Sequence, residues 1–592
     1  MTVRIIVVGF YLLVVLAVGL AARRRGRGAS TSCASGYYLA GRLLGPLAVL
    51  ATMAATNFSG FTVVGFAGAG YRIGMAFYPV MAVGTGLMAV SFAIIGLPAH
   101  RIGRRLGLVT PAELIGARFG RGPAGVTATA MALFTLPYLA IQPMAAGYAL
   151  EALLGLPYVV GAGLVTAIVA LYVLAGGLRS VVWTDFAQGV LMTAVLATGF
   201  VVVARATGGG AFAALVDRFP ALAARPGGDG SLILGVWASY MLLWFLADPM
   251  LPQLFQRFYA SRSERPIVVS MALYPVVTAV LFFFPVAIGA LGRLHVDGLA
   301  GRDADRILPM LMERFGGDWL AALACAGLIA GIMSTMDSQL LTMGSVIERD
   351  VFGRGRTHGG SGAEAGRPMV TNGPGEGQGI AGRLAIVAMA LGGFLLSVRP
   401  PATILSVATQ AFAGLAVLLP AFFAALYSRR VSATGVVVSI VAGEVVVALS
   451  HLGVVTWPGV LPVVPAVAAA TLVLAIDTAV GRVVARDVGL RTLQGGVDAW
   501  REDVRSGLGR AELIGWSAFT VALFVLSVDW WRFGAPPTVV AGLPGWIWYF
   551  LALSALIACA LAALGRRLLR YRAGDSGESL PKMISTVSRG TT

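Results

Sequence analysis

Long apolar runs, separated by short polar or glycine-rich stretches, follow one another along almost the whole chain. Each run is long enough to cross a bilayer as a helix, which takes roughly 20 residues. We therefore predict an all-α polytopic membrane protein with about fifteen transmembrane helices, surrounded by a lipid bilayer. The predicted spans cover residues 5–22, 44–70, 77–98, 125–154, 159–176, 186–205, 232–256, 267–291, 319–346, 382–398, 403–427, 433–452, 459–480, 514–530 and 545–565.

One run carries more polar residues than a lipid-facing helix tolerates. The polar side chains between Gly327 and Ser345 recur mostly at spacings of three and four, so they share one face of a helix. Because hydrocarbon offers no hydrogen bonds, such a face must meet protein, a cavity or an ion. A functional stripe and a set of interhelical hydrogen bonds both fit this pattern. The stripe consists of Ser334, Thr335, Asp337, Ser338, Gln339, Thr342 and Ser345.

Helix-breaking residues interrupt two other runs. The second predicted span contains Asn57-Phe58-Ser59-Gly60, and the seventh contains Ala247-Asp248-Pro249. Interrupted helices at corresponding places in two halves of a chain indicate the binding site of an inverted-repeat transporter. If these spans correspond, each half holds five helices, 2–6 and 7–11, and an odd number inverts the second half. Close packing is the alternative explanation for the glycines.

The charge of the chain follows the predicted helices. The chain is 58% hydrophobic and 12% charged, with a formal net charge of +17. Arginines follow the first span directly, and with the N-terminus outside, three quarters of the 44 basic residues fall on the inner side, Arg257 among them. The positive-inside rule therefore predicts a cell-membrane protein with its N-terminus outside and its C-terminus in the cytoplasm. Nucleic acid is not needed as a partner to explain the charge.

These features divide the chain into seven predicted parts. They are residues 1–40 (first helix and basic loop), 41–206 (first half), 207–430 (second half, with a flexible cytoplasmic loop at 353–381), 431–480 (helices 12 and 13), 481–513 (a cytoplasmic interfacial segment), 514–566 (two extra helices) and 567–592 (a cytoplasmic tail).

Asp185 begins the sixth predicted span on its inner side. Two interpretations are open: an N-cap of this helix, and a waypoint for a cation that leaves toward the cytoplasm. Other polar or aromatic residues in the spans are candidates for lining a substrate cavity, although each taken singly is as compatible with packing. These candidates are Asn57, Tyr138, Gln142, Tyr240, Trp244, Asp248 and Gln410.

The chain shows no enzyme signature. It contains no GxSxG, HExxH or Walker A sequence, and only four histidines. We therefore expect neither catalysis nor transport driven by ATP.

Four short motifs occur in order along predicted helices 2–9. They are Ala55 to Gly60 (ATNFSG), Tyr172 to Ser180 (YVLAGGLRS) continuing into Trp183-Thr184-Asp185, Asp248-Pro249 leading to Gln256-Arg257, and Gly331 to Thr335 (GIMST). With these motifs the chain resembles the sodium/solute symporter family, which includes the sodium/proline, pantothenate, monocarboxylate and sodium/glucose symporters. The resemblance extends to about residue 480.

The resemblance implies a LeuT-type five-plus-five inverted-repeat core, with one preceding helix and extra C-terminal helices. It also implies that Na⁺ is the coupling ion and binds between helices 2 and 9. The implied ligands are the backbone carbonyls of Ala55, Phe58 and Gly331 and the hydroxyls of Ser334 and Thr335. Asn57 stands where proline-transporting relatives have an aspartate, and it resembles the sugar-transporting ones instead.

The expected function is secondary active transport. Sodium moving down its gradient would drive uptake of a small organic solute, such as a carboxylate, an amino acid or a vitamin-like molecule, by alternating access. Proton coupling in the same fold is an alternative, with Asp337 or Asp248 as the titrating group; Asp337 and its neighbour Ser338 are the coupling candidates. A transporter-like membrane sensor and a channel are further alternatives.

Overall fold

The computed structural model of the chain describes residues 1–25, 34–352, 379–480, 501–505 and 508–575. Most of the predicted cytoplasmic loop at 353–381, of the interfacial segment at 481–513 and of the tail at 567–592 lies outside these residues.

The described residues are almost entirely helical. In chain order, the α-helices are α1 (Thr2–Arg25), α2 (Ala34–Leu39), α3 (Pro46–Asn57), α4 (Phe66–Arg72), α5 (Phe77–Leu87), α6 (Leu97–Leu106), α7 (Pro111–Phe119), α8 (Arg121–Leu154), α9 (Tyr158–Thr207), α10 (Ala211–Arg218), α11 (Pro220–Ala223), α12 (Leu234–Ala247), α13 (Pro252–Ala260), α14 (Glu264–Gly292), α15 (Ile307–Val346), α16 (Ile380–Val398), α17 (Ile404–Val417), α18 (Leu419–Tyr427), α19 (Ala433–His451), α20 (Val463–Val480), α21 (Arg510–Val528) and α22 (Gly545–Asp575). Short π-helical turns cover Phe61–Gly65, Phe92–Gly96 and Ile347–Val351, and 3₁₀ turns cover Ala40–Arg42, Asp248–Met250, Gly301–Arg306 and Trp530–Arg532. Two short antiparallel strands, β1 (Val539–Val540) and β2 (Leu543–Pro544), lie between α21 and α22.

The structure confirms a bundle of membrane-spanning helices. Within the described residues, 12 helices are long and apolar enough to cross a membrane, and 14 spans result if each of two bent pairs counts as one. The one remaining predicted span, the first (5–22), coincides with α1, whose apolar part, Thr2–Val18, is shorter. The count of fifteen therefore stays a prediction, while the all-α polytopic class is confirmed.

Helix α9 (Tyr158–Thr207) combines two predicted spans, 159–176 and 186–205. At Gly177 between them the backbone has a φ of 66°, which favours glycine because it has no Cβ. The chain thus passes from one span to the next through a single sharp joint, where the sequence pattern predicts two helices with a short connection.

Helix α15 lies at the centre of the bundle. It packs against α1, α8, α9 and α16, and every residue from Ala324 to Val346 is buried. The polar stripe predicted on this helix is therefore enclosed by protein along its whole length, as its composition requires.

The last two helices form a hairpin on one side of the bundle. Helix α22 packs along α14 and α5, and α21 contacts α12 and α5. On the predicted outer side, the guanidinium of Arg225 lies 2.8 Å from a carboxylate oxygen of Asp529. Four aromatic rings surround this guanidinium, those of Trp237, Phe533, Trp546 and Phe550. Burial among them lowers the pKa of Arg225, although Asp529 opposes this effect.

Candidate functional site

The predicted interruption of the second span is a real break. Helix α3 ends at Asn57, Phe58 leaves the helical region with φ −84° and ψ 81°, and the chain resumes at Phe61 with a bend of 57°. Side chains satisfy the backbone groups that the break releases. The Thr62 hydroxyl donates to the Asn57 carbonyl at 2.9 Å, and the Gly60 amide donates to Oε1 of Gln142 at 2.9 Å. The break is therefore a stabilised feature of the fold.

The seventh span breaks in the same way. Asp248-Pro249-Met250 forms a 3₁₀ turn, and Leu251 leaves the helical region with φ −59° and ψ 116°. Helix α13 then starts at Pro252, with a bend of 49° between the two halves of the span. The two prolines remove backbone donors, which makes a continuous helix unfavourable here. Both breaks are thus located where the sequence predicted them.

The hydroxyls of Ser334 and Thr335 on α15 meet the end of α3. Ser334 Oγ lies 3.1 Å from the carbonyl oxygen of Ala55 and 3.0 Å from that of Gly331. Thr335 Oγ1 donates to the carbonyl of Thr56 at 2.9 Å. Four of the five predicted sodium ligands thus lie on these two facing segments in direct or near contact. The fifth, Phe58, is the first residue of the break, with its ring packed on Phe282.

Three further residues of the polar stripe on α15 face α13 and α3, namely Ser338, Thr342 and Ser345. The Thr342 hydroxyl donates to Oε1 of Gln256 at 2.9 Å, and Nε2 of Gln256 lies 3.2 Å from Ser345 Oγ. Ser338 Oγ lies 3.2 Å from Thr56 Oγ1. The stripe therefore provides both interhelical hydrogen bonds and one side of the predicted sodium site, so the two interpretations of the sequence are compatible.

Asp185 is fully buried and pairs with α3 and α13. Its Oδ2 accepts a hydrogen bond from Thr52 Oγ1 at 2.6 Å and lies 4.0 Å from Nη2 of Arg257. Its side chain thus bonds to another helix, whereas an N-cap bonds to the start of its own. The structure therefore does not support the N-cap interpretation of Asp185.

Arg257 lies in the interior of the bundle, which differs from the predicted location. The positive-inside rule predicts it in an inner loop, yet its side chain is 0% exposed. Its Nη2 donates to Ser338 Oγ at 2.6 Å, and its Nε donates to Thr52 Oγ1 at 3.2 Å. A buried guanidinium needs such partners, because an uncompensated charge in the protein interior is very costly. We call Thr52, Asp185, Arg257 and Ser338 the Arg257 cluster.

Asp337 lies next to this cluster on α15 and is buried. Its Oδ2 accepts a hydrogen bond of 2.8 Å from the hydroxyl of Tyr172, on the span before Gly177. The positive charge of Arg257 acts on Asp337 as well as on Asp185. One buried guanidinium therefore faces two buried carboxylates. The Gln256-Arg257 motif, close behind Pro252 in an apolar run, is the signal that could have indicated a buried arginine.

A small cavity lies between the two breaks. Its volume of about 10 Å³ leaves room for about one water molecule. Of the predicted substrate residues, Asn57, Trp244 and Asp248 line it. The carboxylate of Asp248 is buried, Asn57 and Thr85 lie close enough to hydrogen-bond with it, and its Oδ2 has no partner among the described residues.

The other substrate candidates lie outside the lining of this cavity. The hydroxyl of Tyr138 lies 3.3 Å from Ser59 Oγ, Gln142 binds the backbone of the break, and Tyr240 stacks on Trp244. These three residues support the walls of the cavity. Gln410 is exposed on the outer surface of α17, so the structure does not bring it to the site. Hydrophobic periodicity could not predict this, because both faces of that span are apolar.

Two broken helices that pack on a buried polar helix define a secondary transporter with an inverted-repeat core. A model of the sodium:solute symporter family matches residues 37–443, and the chain belongs to this family. The family is one of sodium-coupled transporters, so Na⁺ is the coupling ion.

Similar proteins align with most of the chain. The sodium/pantothenate symporter of Escherichia coli is 26% identical over 486 residues, which are 80% of this chain and 95% of the relative. The osmoregulated proline transporter OpuE of Bacillus subtilis is 26% identical over 483 residues, covering 78% of this chain and 91% of the relative.

Solved structures establish the fold. A Na⁺-coupled sialic acid symporter in a substrate-bound, outward-open state superposes with a TM-score of 0.65 at 17% identity, covering 81% of this chain and 98% of that structure. Mhp1, a nucleobase-cation-symport-1 transporter, superposes with a TM-score of 0.51 at 15% identity, covering 80% and 98%. The predicted LeuT-type architecture is thereby confirmed.

Proposed function

We propose that the chain takes up a small organic solute by sodium symport, with alternating access, and has no catalytic activity of its own. It would lie in the cell membrane with its N-terminus outside and its C-terminus in the cytoplasm. The observation that carries the proposal is the contact between the hydroxyls of Ser334 and Thr335 and the broken end of α3.

The proposed sodium ligands are the carbonyls of Ala55, Phe58 and Gly331 and the hydroxyls of Ser334 and Thr335. All five are neutral oxygens, the donor type that hard cations prefer. Both hydroxyls donate to carbonyls of the break or its neighbourhood. A bound cation would replace these donated protons, because each hydroxyl can rotate and offer a lone pair instead. Neutral ligands also allow the ion to leave again during the transport cycle.

The Arg257 cluster is the proposed inner gate. Thr335 binds the backbone of Thr56, and the Thr56 hydroxyl lies 3.2 Å from Ser338, which accepts from Arg257. A continuous chain of hydrogen bonds thus connects the sodium site with the gate. Loss of sodium would disturb this chain, release α13 from α3, and open a path past Asp185. Asp337 and Ser338 are therefore proposed to couple ion binding to gate opening.

The proposed solute site is the cavity between the two breaks, next to the sodium site. The relatives named above transport pantothenate and proline. Their names support a carboxylate, an amino acid or a vitamin-like molecule as the solute of this chain. The two broken helices must separate before such a molecule fits, because the cavity has a volume of only about 10 Å³.

Uptake into proteoliposomes tests this proposal. Labelled proline, acetate, pyruvate, pantothenate and glucose would each be offered with an inward sodium gradient, an inward proton gradient or neither. Accumulation of one solute with sodium only is the expected result. Accumulation with protons only would contradict sodium coupling and would make Asp248 or Asp337 the carrier of the coupling proton.

A further inference from the structure

The cavity between the breaks is lined by one ionisable side chain, the carboxyl group of Asp248. It is 1% exposed, and no cationic side chain is among the ten residues that line the cavity, all of them described. Its Oδ2 has no hydrogen-bond partner within the described part of the chain. Although Asn57 and Thr85 lie close enough to hydrogen-bond with the carboxyl group, a buried oxygen without a partner is unfavourable unless a cation or a donor from outside the protein reaches it.

Aromatic rings form most of the remaining wall. The rings of Phe61, Trp244 and Phe412 lie within 5.0–6.2 Å of one another, and Phe66 packs at 4.9 Å on Phe61. The faces of aromatic rings attract organic cations, and they attract quaternary ammonium groups in particular. A single carboxylate beside a group of aromatic rings therefore has the chemistry of a site for an ammonium ion.

A second polar group that lines the cavity also lacks a hydrogen-bond partner, and its chemistry indicates a further group on the solute. The indole nitrogen Nε1 of Trp244 is buried without a hydrogen-bond partner among the described residues. It is a donor only, so its complement is an oxygen acceptor. The cavity thus combines an unpaired acceptor on Asp248 with an unpaired donor on Trp244.

We propose that the transported solute carries an ammonium group, which pairs with Asp248 and packs against Phe61, Trp244 and Phe412. An oxygen near the ammonium group would accept the indole N–H. This inference rests on the proposed function and narrows its range of solutes: a simple carboxylate, with no ammonium group, would bring a second negative charge next to Asp248. Like charges that close together are repelled strongly in an apolar site.

Choline and 3,3-dimethyl-1-butanol test the inference, because they have the same shape and differ in the charge of one atom. The thermal stability of the purified full-length protein would be measured in sodium with each compound and with acetate. We expect choline to raise the melting temperature, and the neutral isostere to need at least about tenfold higher concentration for the same rise. Acetate should have no effect.

The variant Asp248→Asn keeps the size of the side chain and removes its charge. It should abolish the preference for choline over the isostere. Glu444→Gln is the matched control, since Glu444 is another membrane-embedded carboxyl group with an oxygen that lacks a hydrogen-bond partner in the described structure, and it lies on α19 outside the lining of this cavity. This control should keep the preference unchanged.

The effect of sodium alone on the melting temperature distinguishes a failure of the ammonium inference from a failure of the proposed sodium symport. If sodium, compared with potassium, stabilises the protein but choline does not exceed its isostere, the ammonium inference is overturned and the proposed symport stands. If sodium has no specific effect, the proposed sodium site fails. A loss of sodium affinity in Asp248→Asn with an unchanged choline preference would also overturn the inference, because Asp248 would then be an ion ligand. The comparison of the two compounds on the unaltered chain requires no variant to fold.

Discussion

Two neighbouring hydroxyl groups connect α15 to the broken end of α3. Ser334 and Thr335 bind the carbonyl oxygens of Ala55 and Thr56, which the helix break leaves available, at 3.1 and 2.9 Å. In hydrocarbon such carbonyls need a hydrogen-bond donor or a cation. The two hydroxyls satisfy the carbonyls when no ion is bound, and a bound ion would satisfy them in their place. At the scale of single residues, sodium recognition therefore depends on carbonyl oxygens that can bind either a hydroxyl group or the ion.

Replacing Ser334 or Thr335 by alanine should raise the sodium concentration for half-maximal uptake by roughly tenfold. Each change removes one oxygen that binds the ion, and a hydrogen bond or contact to a charged group contributes about 1.5–3 kcal/mol. Uptake measured against sodium concentration in proteoliposomes checks this expectation. Ser439→Ala is the matched control, because the buried Ser439 also donates to a carbonyl of a neighbouring helix, that of Ala470, far from the breaks. Unchanged sodium dependence in both site variants would remove the proposed site.

Asp185→Asn should slow turnover more than it weakens binding of sodium from outside. The amide can still accept from Thr52, but its charge no longer balances Arg257, which lies 4.0 Å away. The measurement is the maximal uptake rate per folded transporter, compared with the sodium concentration for half-maximal uptake. A residue with only a structural role would behave differently: the amount of folded protein would fall, and each remaining molecule would turn over normally.

Single residues were predictable where an apolar background made a polar group stand out. Ser334, Thr335 and Asp337 lie in a buried stripe, as their density implied. Arg257 was misplaced because arginines near span ends usually mark inner loops, and only the three-dimensional structure shows Asp185, Asp337 and Ser338 around it. Gln410 was misplaced because the sequence does not reveal which face of an apolar helix meets lipid.

At the scale of elements, the two broken helices determine where the site lies. Their prolines, glycine and small polar residues sit within long apolar spans, and this contrast located both breaks in the sequence. Their angles, 57° and 49°, depend on neighbours such as Gln142 that are distant in the chain. Sequence pattern therefore indicates that a helix breaks, while the packing around it determines how far it bends.

Glycines after the first break allow close packing between α4 and α14. A Cβ at Gly70 would collide with the backbone carbonyl of Val286, which cannot move aside cheaply. Gly70→Ala should therefore lower the melting temperature and the uptake rate. Gly515→Ala is the control, since a Cβ on this exposed residue of α21 meets nothing within 4 Å. Alanine there should be neutral or stabilise by up to about 1 kcal/mol. Equal effects of the two changes would contradict a packing role for Gly70.

At the scale of the whole molecule, the C-terminal hairpin packs on helices of the core that flank the site. It contacts α5, α12 and α14, and its turn holds Asp529 against Arg225 inside an aromatic cluster. On the predicted inner side, Asp503, which precedes the hairpin, pairs with Arg105 at 2.7 Å. The turn of the hairpin is therefore held by Arg225, and the segment before the hairpin is held by Arg105 of α6, which the sequence pattern, predicting only two extra helices, did not reveal.

Asp529→Asn should destabilise the protein markedly. It leaves the buried charge of Arg225 without its partner, and breaking a buried pair costs roughly 3–5 kcal/mol. Thermal unfolding in detergent checks this. The control is Arg567→Gln, which breaks a pair with Glu512 whose side chains are 62% and 41% exposed, and exposed pairs contribute about 0–1 kcal/mol. Equal melting temperatures for the two variants would show that the Arg225–Asp529 pair does not hold the hairpin in place.

Sodium binding to the purified full-length protein tests the central claim most directly. Radioactive sodium would be bound at equilibrium to the unaltered chain, to the double variant Ser334→Ala/Thr335→Ala, and to Ser439→Ala as the control. We expect saturable binding to the unaltered chain and the control, competed by excess sodium but not by potassium, and its loss in the double variant. Undiminished binding in a folded double variant would contradict a sodium site between α3 and α15.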